Sequence, residues 1–403
     1  MSMANKQNPP LHGVRVLSIE QFGAAPYGSM FLADLGAEVI KVENLPAGGD
    51  PSRRTGPYLL GDADSYYHQT WGSNKESVAL DLKQQQDRVA FDLLAATADA
   101  VVNNLRGDLP ASMGLDYASL SSVNPKLVCL HISAYGRDNG RAAWPGYDFL
   151  MQAEAGLMSL TGEPASSPAR FGPSIIDYMT GMTGMVGLLS CLMRARQTGL
   201  GCDVDTSLFD VALHQLGYSA TWYLNTGFAA TRLPRSAHFS VGPVQTYPTR
   251  DGWIFVMCMT QKFWEALLDK LGRRDLAADA RFDSPNLRGQ HREALSEILD
   301  TEFRKHDSNH WLGILGSVLP VAPVLDVVQA LENPFVGENG MIASVPHPLN
   351  QDMRMLANPL KIDGVRPAQA PCSPLGAGNA RLVPQQTDAQ PSPAAQREKE
   401  VLP

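Results

Sequence analysis

The sequence has few of the features that mark disulfide-rich or metal-binding proteins. Only five cysteines occur in 403 residues, and no two of them form a CxxC pair. They are scattered along the chain, at Cys129, Cys191, Cys202, Cys258 and Cys372. No histidine lies at metal-ligand spacing from another ligand, so neither a disulfide framework nor a metal site is predicted. This cysteine usage favours a reducing, cytoplasmic location.

Positive charge and long apolar runs are also scarce. The chain has 33 Lys and Arg against 41 Asp and Glu, and this net charge of −8 argues against nucleic-acid binding. The start, "MSMANKQNPPLHG", lacks the basic and apolar regions of a signal peptide. The longest apolar run, 178–193, falls short of the roughly 20 residues a membrane span needs. We therefore expect a buried helix there and no membrane partner.

The first part of the chain alternates predicted strands and helices. Predicted strands lie at 14–20, 37–43, 77–83, 98–105 and 126–136, and predicted helices at 23–36 and 86–98. This rhythm is typical of an α/β fold with a parallel, doubly wound sheet. A helix at 178–196 and a strand leading into a helix at 201–224 follow.

A chain of 403 residues is too long for one hydrophobic core, so at least two domains are expected. A loop rich in Pro, Ser and Arg at 229–242 indicates a boundary, and 244–259 predicts a hairpin turning at Asp251-Gly252. We therefore predict a Rossmann-like part at 11–225 and a smaller α+β domain at 226–332. Residues 381–403, rich in Pro, Ala, Gln and Ser, predict a flexible tail.

Several polar residues are candidates for ligand contacts, but each also fits an ordinary structural role. Asn104 and Arg106 lie at a strand end, where open α/β sheets bind ligands, although Arg106 equally fits a surface ion pair. Lys75 could meet a phosphate, but a solvated lysine is commoner. His131 and His238 are more simply read as hydrogen-bonded or surface histidines. The segment "GAAPYGS" (23–29) does not match the GxGxxG of dinucleotide-binding proteins.

Asp177, in "FGPSIIDYMTGM", is the strongest candidate for chemistry. One interpretation is a helix N-cap whose side chain accepts a backbone hydrogen bond from Met179 or Thr180. The other is a nucleophile kept ionised by the helix dipole. Three glycines follow at intervals of three residues, at Gly181, Gly184 and Gly187, and each costs helix stability. Their spacing predicts that a ligand or another backbone approaches one side of this helix.

Ordered blocks across residues 11–378 resemble the class III CoA-transferases, the family of formyl-CoA transferase and carnitine CoA-transferase, which is related to 2-methylacyl-CoA racemase. The blocks include "LHGVRVLSIEQFGAAPYGSMFLADLGAEVIKVE", "NKESVALDLK", "PGYDFLMQAEAGLMSLTGEP", "DYMTGMTGMVGLL" and "LPVAPVLDVVQALENPFVGENGM". The resemblance implies an interlocked homodimer. It also implies a Rossmann-like large domain made from both chain ends, to which residues 333–380 return.

The resemblance also implies a site. Asp177 matches the family's nucleophilic aspartate, which forms an aspartyl–acyl anhydride and then an aspartyl-CoA thioester. The positions implied to contact CoA or to lie beside the site are Ala24, Ala25, Leu80, Asn104, Arg106, Tyr135, Tyr147 and Asp148. No permanently bound cofactor is implied, because the CoA thioester is itself a substrate.

The chain also departs from the family at specific positions. Tyr147 stands where the racemase branch has a histidine base, which favours transfer over racemisation. The glycine-rich active-site loop of formyl-CoA transferase corresponds here to "RSAHFSVGP" (235–243). An arginine of that enzyme aligns with Ser112, and a Pro- and Gln-rich tail replaces the closing helix.

The predicted function is CoA transfer from an acyl-CoA, with succinyl-CoA as the preferred donor, to a small carboxylic acid. Arg170, Arg235 and His238 are candidates to hold a second carboxylate, although surface charge is an equally good interpretation of them. The alternatives are a 2-methylacyl-CoA racemase or epimerase, and a CoA-binding protein without turnover.

Overall fold

A computed structural model describes residues 8–382 of the chain. The chain divides into two compact units, each discontinuous in sequence. Within the described range, the first unit comprises residues 8–145, 177–207 and 343–382, and the second comprises 146–176 and 208–342.

The bounds of the regular elements, numbered in chain order, are as follows. The strands are β1 (Arg15–Ile19), β2 (Glu38–Asn44), β3 (Leu59–Gly61), β4 (Asp64–Ser65), β5 (Lys75–Leu80), β6 (Ala100–Asn103), β7 (Val128–Ser133), β8 (Cys202–Ser207), β9 (Val244–Pro248), β10 (Trp253–Met257), β11 (Val321–Pro323), β12 (Ile342–Ser344) and β13 (Arg354–Leu356). The helices are α1 (Ala24–Asp34), α2 (Tyr66–Gly72), α3 (Gln85–Ala95), α4 (Leu109–Ser112), α5 (Tyr117–Leu120), α6 (Asp148–Glu154), α7 (Leu157–Leu160), α8 (Ile175–Thr198), α9 (Leu208–His214), α10 (Gly217–Thr226), α11 (Gln261–Leu271), α12 (Pro285–Gln290), α13 (Arg292–Phe303), α14 (Ser308–Leu315), α15 (Val327–Leu331) and α16 (Pro334–Glu338).

The first unit is built on a six-stranded sheet in the order β5-β2-β1-β6-β7-β8. Every neighbouring pair in this sheet is parallel, as the alternation of strands and helices predicted. The chain moves outward from β1 through β2 to β5, and then returns to the other side of β1 with β6. The strand order therefore reverses between β1 and β6, which is where open α/β sheets bind ligands.

Helices cover both faces of the sheet. On one face Phe91 and Ala95 of α3 join a buried apolar cluster with alternate strand residues such as Leu17, Val101 and Cys129. On the other face α8 crosses β7 and β8, because a Cβ at Gly184 would lie 3.1 Å from Ile132 Cδ1 and one at Gly187 would lie 2.9 Å from Val204 Cγ1.

The glycine spacing in α8 therefore serves close packing, as predicted. At Gly181 the neighbour is the backbone of α1, since a Cβ there would lie 3.1 Å from Gly28 N and even nearer to Ala24 O. At Gly184 and Gly187 the neighbours are side chains of the sheet. The glycines let helix and sheet approach more closely than alanines would allow.

The prediction of a buried helix holds for one face of α8 only. Val186 and Met193 are 65% and 67% exposed in this single chain. By length and composition alone, α8 meets the minimum for a membrane-crossing helix, with 39% of its most apolar window buried. One such helix is weak support for a membrane span, because core helices of soluble proteins pass the same test.

The second unit packs its helices against a small antiparallel sheet in the order β11-β10-β9. The predicted hairpin is confirmed, since β9 and β10 pair with Thr249–Gly252 between them. The core of the second unit includes Tyr247, Trp264, Phe303 and Trp311, all nearly inaccessible to solvent. This unit is thus an α+β assembly, as the sequence predicted for the middle of the chain.

The two units do not follow the predicted boundaries at 225 and 332. Residues 146–176 and 208–225 belong to the second unit, as do 333–342. The physical reason is that α6 packs against α9. The segment between β7 and α8, which contains α6, therefore belongs to the same unit as α9, the helix that follows β8. Of the predicted tail at 381–403, residues from 383 onward lie outside the described range.

Candidate functional site

Two loops meet where the strand order of the large sheet reverses. Asn104 follows β6, and its side-chain amide donates to Gln21 O at 2.7 Å. Its side-chain oxygen accepts from Gln21 N at 2.9 Å, so the loops after β1 and β6 are joined by two hydrogen bonds. Asn104, predicted from its place at a strand end, therefore lies at the switch point of the sheet.

Asp177 lies against the loop that follows β1. A Cβ built on Gly23 would stand 2.9 Å from Cγ of Asp177 and nearer still to Oδ2, so only a glycine fits there without a shift. Gly23 is the residue that precedes α1, and Asp177 itself lies in the first turn of α8. Two helix N-termini, each with partial positive charge, thus converge on one carboxylate.

The N-cap interpretation of Asp177 is wrong. α8 begins at Ile175, two residues earlier, so Asp177 is inside the helix rather than at its boundary. The capping contact comes from elsewhere in the chain. Asp148 Oδ2 accepts from Ile176 N at 2.6 Å, and Asp148 Oδ1 accepts from Gln152 Nε2 at 2.5 Å. The carboxylate of Asp177 is therefore not needed to cap α8.

Asp148 and Gln152 form a buried clamp within the second unit. They are 3% and 1% exposed, and Gln152 Oε1 also accepts from Phe171 N at 2.8 Å. The clamp ties α6 to the segment that leads into α8. Tyr147, by contrast, is 62% exposed at the residue before α6.

Tyr67 is a residue that the sequence reasoning missed. Burial, and then the carboxylates of Asp177 and Asp50, raise the pKa of its phenol above the ordinary value. One turn later on α2, Trp71 packs on Tyr178 with ring centroids 5.1 Å apart. This face of α2 therefore borders the first turn of α8. The pair "YY" at 66–67, which begins α2 directly after β4, was the available signal.

A network of buried charges lies beneath this site. Lys75, interpreted from sequence as a surface or phosphate-binding lysine, is 2% exposed and its Nζ lies 2.7 Å from Glu20 Oε1. Both sequence interpretations of Lys75 are wrong, because it begins β5 inside the sheet. Lys41 Nζ lies 2.6 Å from Asp50 Oδ2. Burial alone would raise the pKa of Glu20, but Lys75 and Lys41 bring it below the ordinary value.

A second buried pair completes the network. Arg53 Nη2 lies 2.6 Å from Glu43 Oε1, and Ser77 Oγ donates to the same oxygen at 2.6 Å. Burial alone would raise the pKa of Glu43, but Arg53 and Lys41 lower it to about 2. Each of these charged side chains would lose its hydration on burial, and an unpaired buried charge is costly. Their mutual pairing is therefore what permits their burial.

The other predicted site residues occupy different environments. Ala24 and Ala25 are buried in the first turn of α1, beside Asp177. Leu80 is 2% exposed, and its side chain packs in the apolar cluster under α3. Arg106 is paired with Asp108 at 3.0 Å on the surface, in line with its interpretation as a surface ion-pair partner. Tyr135 follows β7 and carries the guanidinium of Arg141 over its ring.

The candidates for holding a second carboxylate all belong to the second unit. Arg235 forms a bidentate ion pair with Asp300, with nitrogen–oxygen distances of 2.6 and 2.8 Å, so its charge is compensated within the chain. Arg170 lies over the ring of Phe149 at 4.2 Å and donates to the carbonyls of 171 and 172. His238 Nδ1 accepts from Ser240 N at 3.3 Å, as expected of a hydrogen-bonded histidine.

Two further expectations concern histidine and metal chemistry. His131 is buried between Asn103 and Asp203, with both contacts at 2.8 Å, which confirms the predicted hydrogen-bonded histidine. Among residues 8–382, no group of three or more His, Cys, Asp or Glu is arranged to hold a metal ion. All five cysteines are free thiols.

Comparison with known proteins identifies the family. The model of CoA-transferase family III matches residues 11–379, nearly the whole chain. The chain belongs to CoA-transferase family III. It is 33% identical to the succinate–glutarate CoA-transferase of Agrobacterium fabrum, over 84% of this chain and 86% of the relative. It is 32% identical to the acetyl-CoA:oxalate CoA-transferase of Acetobacter aceti, over 89% and 90% of the two chains.

Solved structures agree with this assignment. A CaiB/BaiF family protein from Brucella suis superimposes with a TM-score of 0.80 at 30% identity, covering 93% of this chain and all of that one. A Mycobacterium tuberculosis protein, crystallised with an aspartate-to-alanine substitution, gives a TM-score of 0.82 at 26% identity over 94% and 99% of the two chains. This member of CoA-transferase family III is an enzyme that transfers CoA between carboxylic acids.

Proposed function

We propose that Asp177 is the covalent nucleophile of this CoA transfer. The observation that carries the proposal is its contact with Gly23, which places one ionisable carboxylate between the N-terminal turns of α1 and α8 at the switch point of the sheet. The sequence resemblance supports the same residue as nucleophile.

In the proposed first half-reaction, an oxygen of Asp177 attacks the thioester carbonyl of the acyl-CoA. The carbon–sulfur bond breaks, CoA leaves as thiolate, and an aspartyl–acyl anhydride remains. The thiolate then attacks Cγ of Asp177, which releases the donor acid and leaves an aspartyl-CoA thioester. Covalent catalysis of this kind replaces one difficult transfer by several easier steps.

The second half-reaction repeats these steps in reverse with the acceptor. Its carboxylate attacks Cγ of the aspartyl-CoA thioester, the carbon–sulfur bond breaks, and CoA leaves as thiolate from the new anhydride. The thiolate then attacks the acceptor carbonyl of that anhydride. Asp177 is regenerated and the acceptor leaves as its CoA ester. Because every bond to CoA is broken and remade without water, exclusion of water protects the intermediates from hydrolysis.

Each attack creates an oxyanion that needs hydrogen-bond donors. The first N–H groups of a helix have no acceptor within that helix, and those of Ala24 and Ala25 begin α1 beside Asp177. Pro26 has no N–H, so these two amides are the donors that the first turn offers. In the proposal they stabilise the developing negative charge.

The proposed donor is succinyl-CoA or a similar acyl-CoA, and the proposed acceptor is a small dicarboxylic acid. Relatives named for succinate, glutarate, oxalate and mesaconate support this choice. We also propose a cytoplasmic homodimer. Large apolar side chains exposed on the single chain support the dimer, among them Met193, Leu224, Val327 and Val365 at 67–79%.

Mass spectrometry after incubation with succinyl-CoA and a panel of short acids tests this function. The wild-type protein is expected to form new acyl-CoA esters, and hydroxylamine is expected to convert activated Asp177 into a hydroxamate. Asp177→Asn should show neither product, while Asp92→Asn, a surface carboxylate paired with Arg88, should behave as wild type. Ester formation that survives in Asp177→Asn would refute the proposed nucleophile.

A further inference from the structure

The loop Glu20–Gly23, which joins β1 to α1, is held from beneath by two buried lysines that the proposed reaction does not use. Lys75 Nζ lies 2.7 Å from Glu20 Oε1 and donates to Pro26 O at 2.8 Å. Lys41 Nζ lies 3.8 Å from the same oxygen of Glu20. An ion pair thus holds the loop where it leaves the strand, and a hydrogen bond from the same lysine holds the first turn of α1.

Asp50 connects this lysine pair to the middle of the loop. Its Oδ2 lies 2.6 Å from Lys41 Nζ, and its Oδ1 accepts from Ser52 N at 2.9 Å and from Phe22 N at 3.4 Å. Asp50 is 4% exposed, so these contacts form in the absence of bulk water.

Phe22 has an uncommon backbone conformation for a residue with a side chain. Its φ angle of 58° lies in the left-handed region. Such a conformation persists only where the surrounding structure holds it, and such residues cluster at functional sites. The next residue, Gly23, makes the contact with Asp177.

Stability alone does not account for these buried charges. The side chains of Glu20, Lys41, Asp50 and Lys75 are each no more than 2% exposed. Buried ion pairs are often no more stabilising than apolar residues of the same size, because desolvation offsets their attraction. What they provide is a fixed geometry, and the geometry they fix is that of the loop beside Asp177.

We propose that Asp50 is a positioning residue: bound to Lys41, it holds the N–H of Phe22 and so keeps Gly23 and the first turn of α1 beside Asp177. Asp50 makes no bond to substrate in this account. Its effect on turnover rests on the proposed function of Asp177, whereas its effect on the loop does not.

Hydrogen exchange and kinetics of Asp50→Asn test the proposal together. The amide keeps the shape and an acceptor oxygen but removes the negative charge from Lys41. Amides of residues 21–25 are expected to exchange at least about tenfold faster, because the loop loses its anchor. The kcat for transfer from succinyl-CoA should fall at least about tenfold while KM changes less than about threefold, because positioning rather than binding is lost.

Two variants provide the comparison. Asp50→Glu retains the charge and should recover part of both the protection and the kcat. Glu38→Gln is the control. Glu38 begins β2, its side chain is 35% exposed, and it pairs with Arg15. This substitution should alter neither the exchange nor the kcat. If Asp50→Asn does not fold, Lys41→Met combined with Asp50→Asn removes both charges together, and the same loss of protection is expected.

The outcomes separate this inference from the proposed function. Unchanged exchange at 21–25 in a folded variant overturns the positioning role, and so does faster exchange with unchanged kcat. Wild-type protein that transfers no CoA overturns the proposed function instead, and the exchange measurement still decides whether Asp50 anchors the loop.

Discussion

The carboxylate of Asp177 lies so close to the α-carbon of Gly23 that a methyl group there would stand 2.9 Å from Cγ of the aspartate. This contact joins the first turn of α8 to the loop before α1. It explains why a glycine is required at residue 23 although its φ angle is negative and any residue could adopt it. The constraint is the space that the carboxylate takes up.

Gly23→Ala is therefore expected to reduce kcat for CoA transfer by about 100-fold, because a displacement of about 1 Å at a reacting group has effects of that size. Steady-state kinetics with succinyl-CoA provides the measurement. Gly140→Ala is the matched control, since a Cβ there meets nothing within 4 Å, and it should retain wild-type rates. Full activity in Gly23→Ala would contradict the described contact.

Tyr67→Phe is expected to lower kcat at least about tenfold, because it removes a hydroxyl whose pKa responds to the charge of Asp177. Since burial and the two nearby carboxylates raise the pKa of this phenol, the hydroxyl stays protonated from neutral pH up to its ordinary pKa of 10. The effect of the substitution should thus be constant between pH 7 and pH 9. Tyr58→Phe, at a position 73% exposed, is the control.

Gly181→Ala is expected to destabilise the protein by roughly 1–3 kcal/mol, since the added methyl would force α8 away from the backbone of α1. Urea unfolding measures this. In α14, Gly313 has nothing within 4 Å of a Cβ, so Gly313→Ala should instead stabilise by up to about 1 kcal/mol through helix propensity. Equal effects of the two substitutions would show that close packing does not determine the outcome.

Glu43 makes the free energy of unfolding depend on pH in the acid range. Its pKa is about 2 in the folded protein against an ordinary value of 4.5, so it contributes about 3 kcal/mol of stability above pH 5. Because the folded pKa is the lower one, this contribution is lost as the pH falls from 4.5 towards 2, with about 2 kcal/mol gone at pH 3.

Urea unfolding at pH 7 and pH 3 checks this dependence. Glu43→Gln should be less stable than wild type at pH 7, because Arg53 is left buried without its partner. The variant should also lose about 2 kcal/mol less than wild type between the two pH values. Asp92→Asn, on the surface, should follow the wild-type curve, and an unchanged pH dependence in Glu43→Gln would refute the assignment to Glu43.

The parallel sheet could be predicted from sequence because its strands are short apolar runs separated by helices of ordinary length. The stretch 14–43 shows this well, since the observed β1, α1 and β2 lie within one or two residues of the predicted bounds. Asn104 was found because it follows a predicted strand, and open α/β sheets bind ligands at the carboxyl ends of their strands.

The buried charges could not be recognised in this way. Lys75 was interpreted as a solvated or phosphate-binding lysine, and Lys41 was not singled out, because a lysine is almost never buried unless it is paired. The available signal was a lysine between Ile40 and Val42, inside a strand that is covered on both faces. Its partner Asp50 comes from outside the strands, so only the folded chain brings the two together.

The start of α8 was misjudged for a similar reason. Asp177 looked like an N-cap because Asp is favoured there, but the hydrogen bond to the helix start comes from Asp148, 28 residues earlier. A local pattern carries no information about a cap supplied from such a distance. Packing of α6 against α9 is a tertiary contact of the same kind, and it places residues 146–176 in the second unit.

The central claim, that Asp177 is the covalent nucleophile, predicts a specific transfer of oxygen. In the proposed sequence of steps, the bridging oxygen of the second anhydride comes from the acceptor and stays on Asp177 when CoA leaves with the acceptor acyl group. An acceptor acid labelled with oxygen-18 in its carboxylates should therefore label Asp177 after turnover with succinyl-CoA. Peptide mass spectrometry should find the heavier isotope at Asp177 and not at Asp92. Formation of labelled acyl-CoA with no isotope in Asp177 would contradict the mechanism.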